Sequence, residues 1–323
     1  MLRYTVERLF WMIPTMLAMS LIIFVMMHAT PGSPLDPMRA TANPLTPQAQ
    51  AALAKHYGLD KPLHEQYLIF VWNVLHLDFG ISYVLKDREV SSILANTFPI
   101  SLVLGTFALI FATTIGLILG IVAAMRQNSW VDYLATSISM LAVSTPNFVV
   151  GVLLIVVLAL GLNLLPIAMT SADTFDAWSV EYWSKNWTFW ILPTITLGVG
   201  PLATIARYTR ASMVDVIRSD FVRTARAKGL LENAVVMRHV LKNALIPVVT
   251  ILGPLFAAVG TGTFVVEFLF SVPGMGKFFV TSMIGRDYNM IMAVLLIYGF
   301  FLVIMNIVVD LVYGFLDPRI RYN

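Results

Sequence analysis

Six long apolar stretches constrain this chain more than any other feature of its sequence. They lie at about residues 9–28, 100–125, 134–160, 190–206, 244–266 and 289–314. About 20 helical residues cross the hydrocarbon core of a bilayer, and helices satisfy the backbone of such continuous runs where no water is present. Only 12% of the residues are charged and 58% are hydrophobic. The sequence therefore predicts an all-α integral membrane protein with six transmembrane helices.

The first and fourth stretches depart from the simplest pattern. The first follows two arginines, as in a signal peptide, but no small-residue cleavage site precedes Pro31-Gly32, so we predict a retained helix. The fourth is interrupted by two prolines and two glycines between residues 193 and 201. Such interruptions are tolerated where neighbouring helices satisfy the freed carbonyls, so this helix is expected to face protein rather than lipid.

The distribution of Lys and Arg predicts the orientation. Six spans put both termini on one side, and 13 of the 21 basic residues then lie on the side that includes residues 207–243. Five of the other eight lie in the long segment 29–99, where the positive-inside rule loses force. We therefore expect the termini and residues 207–243 to be cytoplasmic.

Residues 29–99 are expected to form a small helical insertion outside the membrane. Thr46 and Pro47 supply an N-cap hydroxyl and a first-turn proline, and Gly58 can end the helix that they begin. A second helix is predicted over 63–75. The insertion could cover the mouth of a pore or pack on the outer ends of the spans, and the residues leave both possibilities open.

The chain therefore divides into three parts. Residues 1–28 are the N-terminal segment with the first span, 29–99 are the insertion, and 100–323 are the core with its cytoplasmic loop 207–243. The apolar face predicted for the second insertion helix consists of Tyr67, Phe70, Val71 and Val74.

The segment 207–243 cannot lie in a bilayer. It carries eight basic and three acidic residues, and inserting these eleven charges would cost on the order of 30 kcal/mol. Ser219 and Asp220 are good N-cap residues for a two-turn helix over 221–228, and Gly229 can adopt the left-handed conformation that ends it. A second helix is predicted over 234–245. The loop is thus interpreted as a structured docking element that projects from the membrane, and the alternative is a basic loop attracted to anionic lipid.

The expected two-turn helix is amphipathic. At 100° per residue, Phe221, Val222 and Ala225 share one face, whereas Arg223 and Arg226 lie on the other. A short helix of this kind can occupy a groove on a partner and transmit rigid-body movement.

The stretch Arg223-Thr224-Ala225-Arg226-Ala227-Lys228-Gly229 resembles the conserved cytoplasmic loop of ABC-importer permeases. Its departures from the general pattern, together with residues 241–247, are similar to the dipeptide, oligopeptide and nickel branch. The resemblance covers the whole chain, through Pro31-Gly32-Ser33-Pro34, Tyr57-Gly58-Leu59-Asp60-Lys61-Pro62, Phe79-Gly80-Ile81-Ser82, Phe270-Ser271-Val272-Pro273-Gly274-Met275-Gly276, Arg286-Asp287-Tyr288 and Asp317-Pro318-Arg319-Ile320-Arg321-Tyr322. Residues 57–62 with 82–88 look nearest to oligopeptide importers.

The resemblance implies a permease subunit that works by alternating access in a bacterial or archaeal cytoplasmic (inner) membrane. The implied partners are a homologous second permease, two cytoplasmic ABC ATPases that bind ATP and Mg²⁺, an extracytoplasmic substrate-binding protein and the lipid bilayer, with no nucleic acid. The residues that it implies for coupling to the ATPases are Phe221, Val222, Arg223, Thr224, Ala225, Arg226, Ala227, Lys228 and Gly229.

The residues themselves argue against an enzyme. There is no cysteine, and no histidine pair has the spacing of a zinc protease, so we predict no metal site and no catalytic residues. No G-x-x-x-x-G-K-[ST] phosphate loop is present, since Gly274-Met275-Gly276-Lys277 lacks the first glycine and continues with Phe278. ATP hydrolysis is therefore assigned to another chain.

The main alternative function is an ion-coupled secondary transporter. Such proteins place ionisable groups deep in their spans, whereas His28 and Asp310 here fall near span ends. Candidate residues of a translocation path are Ser144, Thr145 and Asn147, which surround a proline within the third stretch. Packing between helices is the alternative role for these three polar side chains. Candidates for an outer gate or a contact with a binding protein are Glu267, Pro273 and Gly274.

Overall fold

The computed structural model describes residues 2–32, 46–85, 88–168, 175–176, 179–260 and 264–316. Within these residues the helices are α1 (Leu2–Ala29), α2 (Pro47–His56), α3 (Leu63–Leu75), α4 (Val90–Met125), α5 (Trp130–Ser144), α6 (Asn147–Leu154), α7 (Val180–Ile217), α8 (Asp220–Ala227), α9 (Glu232–Val235), α10 (Leu241–Val259), α11 (Phe264–Leu269), α12 (Met275–Gly285) and α13 (Tyr288–Leu316). A π-helical turn, Ile155–Gly161, extends α6, and another, Val236–Val240, joins α9 to α10. The all-α prediction is confirmed.

The predicted spans correspond to five long helices and one bent pair. In the described residues, α1, α4, α7, the continuous α9–α10 unit and α13 are long and apolar enough to cross a membrane. The remaining predicted span, the third along the chain, corresponds to the pair α5 and α6, whose axes bend by 107° at a short break.

The predicted span over 134–160 is bent at the proline that the sequence places within it. The chain leaves the helical conformation at Thr145, which has φ −95° and ψ 126°, and a new helix begins after Pro146. A proline has no backbone N–H and its ring forces the preceding residue towards an extended conformation. The polar and proline residues at 144–147 therefore mark a corner between two helices.

Helix α7 is longer than predicted. It runs without interruption for 38 residues through Pro193 and Pro201 to Ile217. Pro193, Gly198 and Pro201 are buried, so the expectation that this helix faces protein is confirmed. The basic segment was expected to leave the helix at residue 207, but its first eleven residues continue α7, because charge excludes a segment from the bilayer without ending a helix.

The second helix of the basic segment is also part of a longer one. It was predicted over 234–245, started by Glu232 and Asn233 and running back into the fifth span. The helical conformation does continue from Glu232 through the π-helical turn into α10, so this continuity is confirmed.

The chain folds into two compact units. Unit A contains Leu102–Val272 and Met305–Asn323, and unit B contains Leu2–Ser101 and Pro273–Ile304.

In unit A, glycines let α4 and α7 approach closely. A Cβ atom at Gly120 of α4 would lie 2.5 Å from the Thr209 Cβ and 2.6 Å from the Ala206 carbonyl oxygen of α7. On α7, a Cβ atom at Gly198 would lie 2.7 Å from the Phe111 ring. Small residues at such crossings bring backbones close enough for dense packing.

In unit B, an aromatic core is joined to a hydrogen-bonded turn. The side chains of Phe24, Phe70, Tyr83 and Tyr288 are buried together. The fully buried Asp287 carboxylate accepts hydrogen bonds from the Ser82 hydroxyl and, at 3.2 Å, from the Met290 N–H at the start of α13. Burial, with the nearby Asp287 charge, raises the pKa of Tyr83, so this tyrosine stays neutral.

The two predicted insertion helices are confirmed. The Thr46 hydroxyl accepts a hydrogen bond from the Ala49 N–H at 3.3 Å at the start of α2, and Gly58 has φ +68° beyond its end. The bounds of α3 are those predicted, and the face formed by Tyr67, Phe70, Val71 and Val74 packs on the core of unit B.

Candidate docking helix and its surroundings

The basic segment contains a short helix with defined ends, as predicted. Ser219 has the extended conformation of an N-cap residue, α8 spans Asp220–Ala227, and Lys228 ends it. Gly229 follows with φ +77°, and its N–H donates to the Arg226 carbonyl at 2.9 Å. No atom lies within 4 Å of a Cβ built on Gly229. This position therefore favours glycine because of its backbone conformation rather than for lack of space.

One face of α8 is fixed to the body of unit A. Val222 is fully buried and Ala225 is 5% exposed. They pack in an apolar cluster with Ala124, Met213, Val235, Val236, Val240 and Ala244. The cluster joins α8 to the ends of α4 and α7 and to the α9–α10 unit. The helix is consequently fixed to the body of its own chain.

Phe221, which the helical spacing placed on the same face as Val222 and Ala225, is not buried with them. Its side chain is 45% exposed, because it lies about 100° around the helix from Val222 and so falls at the edge of the buried face. An exposed aromatic ring beside basic side chains is typical of the central residues of protein interfaces.

Arg226 and Arg223 differ in their surroundings, although both are on the exposed side of α8. Arg226 donates two hydrogen bonds to the Glu232 carboxylate, at 2.6 and 3.1 Å, across the turn at Gly229. These bonds raise the pKa of Arg226 above its ordinary value. Arg223 is 3.7 Å from Asp220, and its side chain is 76% exposed. Arg226 thus braces the turn from α8 to α9, while Arg223 is open to a partner.

Two exposed leucines next to α8 were missed among the predicted site residues. Leu230 is 42% exposed and Leu231 is 80% exposed, and two consecutive leucines in a charged segment were the available signal. We use the term docking surface for seven of the exposed residues of α8 and the following turn, which are Phe221, Arg223, Thr224, Ala227, Lys228, Leu230 and Leu231.

A buried ion pair was also missed. Asp132, which is 1% exposed in α5, binds the Arg210 guanidinium of α7 through both carboxylate oxygens, one of them at 2.7 Å from Nη2. The Asn128 N–H donates to the same carboxylate at 2.9 Å. Arg210 was counted among the charges of an aqueous loop, but it ties the start of α5 to α7.

The proposed path residues lie together at the corner between α5 and α6. The Thr145 hydroxyl donates to the Leu141 carbonyl at 2.8 Å, and Ser144 is exposed. Asn147 is half-buried beside α7, where a Cβ built on Gly200 would be 3.6 Å from the Asn147 Oδ1.

The three residues predicted for an outer gate or a partner contact lie in different settings. Glu267 is fully buried in α11 of unit A. Pro273 and Gly274 belong to unit B, where Gly274 is the N-cap residue of α12 and is buried. The next residue, Met275, donates its N–H to the Ser101 hydroxyl at 2.9 Å.

The described residues include no group of three or more His, Asp or Glu side chains that could hold a metal ion. They do include the docking surface, which is basic and partly apolar and is fixed to an apolar body of several helices. The fold defines a multi-pass α-helical membrane protein that carries a short amphipathic helix, α8.

Comparison with known proteins gives the family. Residues 116–322 match the family described as the binding-protein-dependent transport system inner membrane component, and residues 1–105 match its N-terminal family. The chain therefore belongs to the binding-protein-dependent transport system inner membrane components, which are ABC-importer permeases. This membership gives no support to the ion-coupled alternative.

The relatives extend over the full length of the chain. It is 42% identical to the dipeptide transport system permease protein DppB of Bacillus subtilis, covering 100% of this chain and 99% of the relative. It is 37% identical to the oligopeptide transport system permease protein OppB of Haemophilus influenzae and 39% identical to the glutathione transport system permease protein GsiC of Escherichia coli K12, each with 100% of both chains covered.

Proposed function

We propose that this permease imports short peptides, dipeptides or oligopeptides, into the cytoplasm by alternating access. The three relatives described above carry dipeptide, oligopeptide and glutathione in their names, and all of these substrates are peptides. The membrane is the cytoplasmic (inner) membrane of a bacterium or archaeon. Both termini and the docking surface are on the cytoplasmic side, as the excess of Lys and Arg there favours.

The proposed assembly contains two homologous permeases, two cytoplasmic ABC ATPases and an extracytoplasmic substrate-binding protein. ATP and Mg²⁺ bind to the ATPases, which hydrolyse ATP. This division of labour is supported by the family and by the missing phosphate loop in this sequence. The insertion 29–99 is on the outer side, and the core 100–323 carries the path.

The observation that carries the proposal is the two-sided character of α8. Its inner face is buried with α4, α7 and the α9–α10 unit, while its outer face leaves Phe221, Arg223 and Lys228 exposed. A partner that binds the outer face and moves will therefore displace α8 together with the helices on which it packs. Closure of the ATPase pair on ATP moves α8 in this way and changes the side on which the path is open.

The path and gate residues complete the proposal. Ser144, Thr145 and Asn147 line the path at the corner between α5 and α6, where a change of bend would move them relative to α7. Glu267, Pro273 and Gly274 contribute to the outer gate or to the contact with the binding protein. Buried placement of Glu267 and Gly274 favours the gate over a surface contact.

The docking surface is tested by Arg223→Glu combined with Leu231→Ser. Neither side chain is buried, so the variant is expected to enter the membrane normally, to lose most co-purifying ATPase and to lose peptide uptake. The matched control is Arg238→Glu, which reverses an exposed charge of the same segment outside the docking surface. Arg226 is unsuitable for this test, because its reversal would also repel Glu232. Co-purification of ATPases at the wild-type level with the double variant would refute the docking surface.

A further inference from the structure

Unit B contains a cleft of about 540 Å³ that no step of the proposed function uses. The cleft is lined by four segments of the chain. They are the last turn of α1, residues 55–73 from the end of α2 into α3, residues 78–89, and the start of α13. Its volume is within the range of ligand sites for small molecules, about 300–1,000 Å³. All four segments belong to the same compact unit.

Aromatic side chains form much of the lining. Phe24, Tyr83 and Tyr288 are each 5% exposed, and the Tyr57 ring packs against the Tyr83 ring with centroids 4.7 Å apart. His28 packs against Tyr288 at 5.2 Å. Such rigid rings give contact area for an apolar or aromatic side chain at a small cost in conformational entropy.

The charges in the cleft are separated by sign between two of its segments. Residues 55–61 contribute two lysines, Lys55 and Lys61, whereas residues 78–89 contribute two carboxylates, Asp78 and Glu89. The two segments meet at the contact between Tyr57 and Tyr83. A ligand seated over this aromatic contact would therefore encounter positive groups from one segment and negative groups from the other.

Hydrogen bonds hold both charged segments in place without a ligand. On the basic segment, the Gln66 amide donates to the Lys61 carbonyl at 2.7 Å. On the acidic segment, the Asp78 carboxylate accepts from the Gly80 N–H at 2.8 Å, and the Asn289 amide donates to the Ile81 carbonyl at 3.0 Å. A site that is already ordered loses less entropy when it binds.

We propose that this cleft binds the two charged termini of a free peptide, with the α-carboxylate towards Lys55 and Lys61 and the α-ammonium towards Asp78 and Glu89. A free peptide carries both charges near neutral pH, and a chain of two to four residues extends over about 7–14 Å. The inference rests on the proposed peptide function and adds a second place at which the permease holds its substrate, outside the membrane spans.

The test uses this chain with its partner permease and ATPases in lipid nanodiscs, without the substrate-binding protein. The probes are the tripeptide Ala-Phe-Ala, its N-acetylated form and its C-amidated form, measured by equilibrium dialysis. A photoreactive version with benzoylphenylalanine at the centre is mapped by mass spectrometry. We expect cross-links in residues 55–61 or 78–89, and each capped tripeptide should bind about 1.4-fold to fivefold more weakly than the free one, the range for one partly exposed charge interaction.

Charge reversal supplies the sharper comparison. Lys61→Glu or Glu89→Lys alone should weaken binding of the free tripeptide by about threefold to tenfold. The double variant, in which each segment carries one positive and one negative group, should bind the free tripeptide more weakly than either single variant, because both termini then meet a like charge. Matched controls are Asp60→Lys and Arg88→Glu, which reverse neighbouring exposed charges that do not line the cleft.

Two results would overturn the inference. One is equal binding of the free and capped tripeptides, and the other is cross-linking confined to residues outside the cleft. Peptide uptake by the complete transporter is measured in parallel. Normal uptake with no binding in the cleft would reject the cleft and keep the proposed function, whereas absence of uptake for every peptide tested would reject the proposed function itself.

Discussion

The close crossing of α4 and α7 allows a quantitative test of the fold. Gly120→Ala adds one methyl group at a point where the Thr209 Cβ would be 2.5 Å away and the Ala206 carbonyl oxygen 2.6 Å away. Carbon atoms in contact are normally about 3.5–4.0 Å apart, so the two helices must separate by about 1 Å. A gap of that size forfeits about a quarter to a half of the dispersion energy of each affected contact.

The expected loss of stability follows from two opposing effects. Overpacking of this kind costs about 1–3 kcal/mol, and replacing a helical glycine by alanine returns up to about 1 kcal/mol. Gly120→Ala should therefore lower the free energy of unfolding by about 1–2 kcal/mol. The measurement is unfolding of the purified chain in mild detergent, followed by tryptophan fluorescence or by steric trapping.

Gly200→Ala is the matched control for this prediction. Gly200 is also a helical glycine, and it lies in α7, the other helix of this crossing. The nearest atom to its Cβ position is the Asn147 Oδ1 at 3.6 Å, which is an ordinary contact distance. This variant should be neutral or slightly more stable than the wild type. If both variants had the same stability, the close contact of α4 with α7 would not be the cause of any change, and the reasoning would fail.

Three further predictions concern the docking helix and its attachment. Gly229→Val should uncouple ATP hydrolysis from peptide uptake, since a β-branched residue resists φ +77°, whereas Gly229→Asn should retain most coupling; normal coupling in the valine variant would contradict this. Asp132→Asn should destabilise the chain by about 2–4 kcal/mol, because it leaves the half-buried Arg210 without its counter-charge, and an unchanged unfolding midpoint would exclude that role. Val222→Ala should lower stability by about 1–2 kcal/mol through a cavity under α8, measured by the same unfolding assay.

Features set by neighbouring residues were predictable from the sequence. The bounds of α3 coincide with the prediction, and α8 is displaced by one residue, because caps, glycines and apolar spacing act locally. The position of the break at Thr145 was also predictable from the sequence. Pro146 was recognised as a helix breaker within the third span, but hydropathy and local sequence do not give the size of the bend.

Features that depend on contacts between distant residues were not predictable. Asp132 and Arg210 are 78 positions apart, and neither has a local pattern that identifies its partner. The cleft of unit B combines residues near positions 24, 55, 78 and 288, so its charge separation exists only after folding. Helical periodicity placed Phe221 on one face with Val222 and Ala225, but it gives an angle and not the width of the surface that covers this face, so the exposure of Phe221 was not predictable.

The length of α7 sets how far from the lipid the proposed ATPase contact lies. A helix of 38 residues is about 57 Å long, whereas the hydrocarbon core is about 30 Å thick. If the first arginine, Arg207, marks the edge of the core, the end of α7 lies about 16 Å beyond it, and Met213, against which α8 packs, lies about 9 Å beyond it, past a headgroup layer of about 5–8 Å. The basic side chains of α8 therefore stand in water instead of among lipid phosphates. The coupling of peptide uptake to ATP hydrolysis should then be maintained when anionic lipid is replaced by neutral lipid.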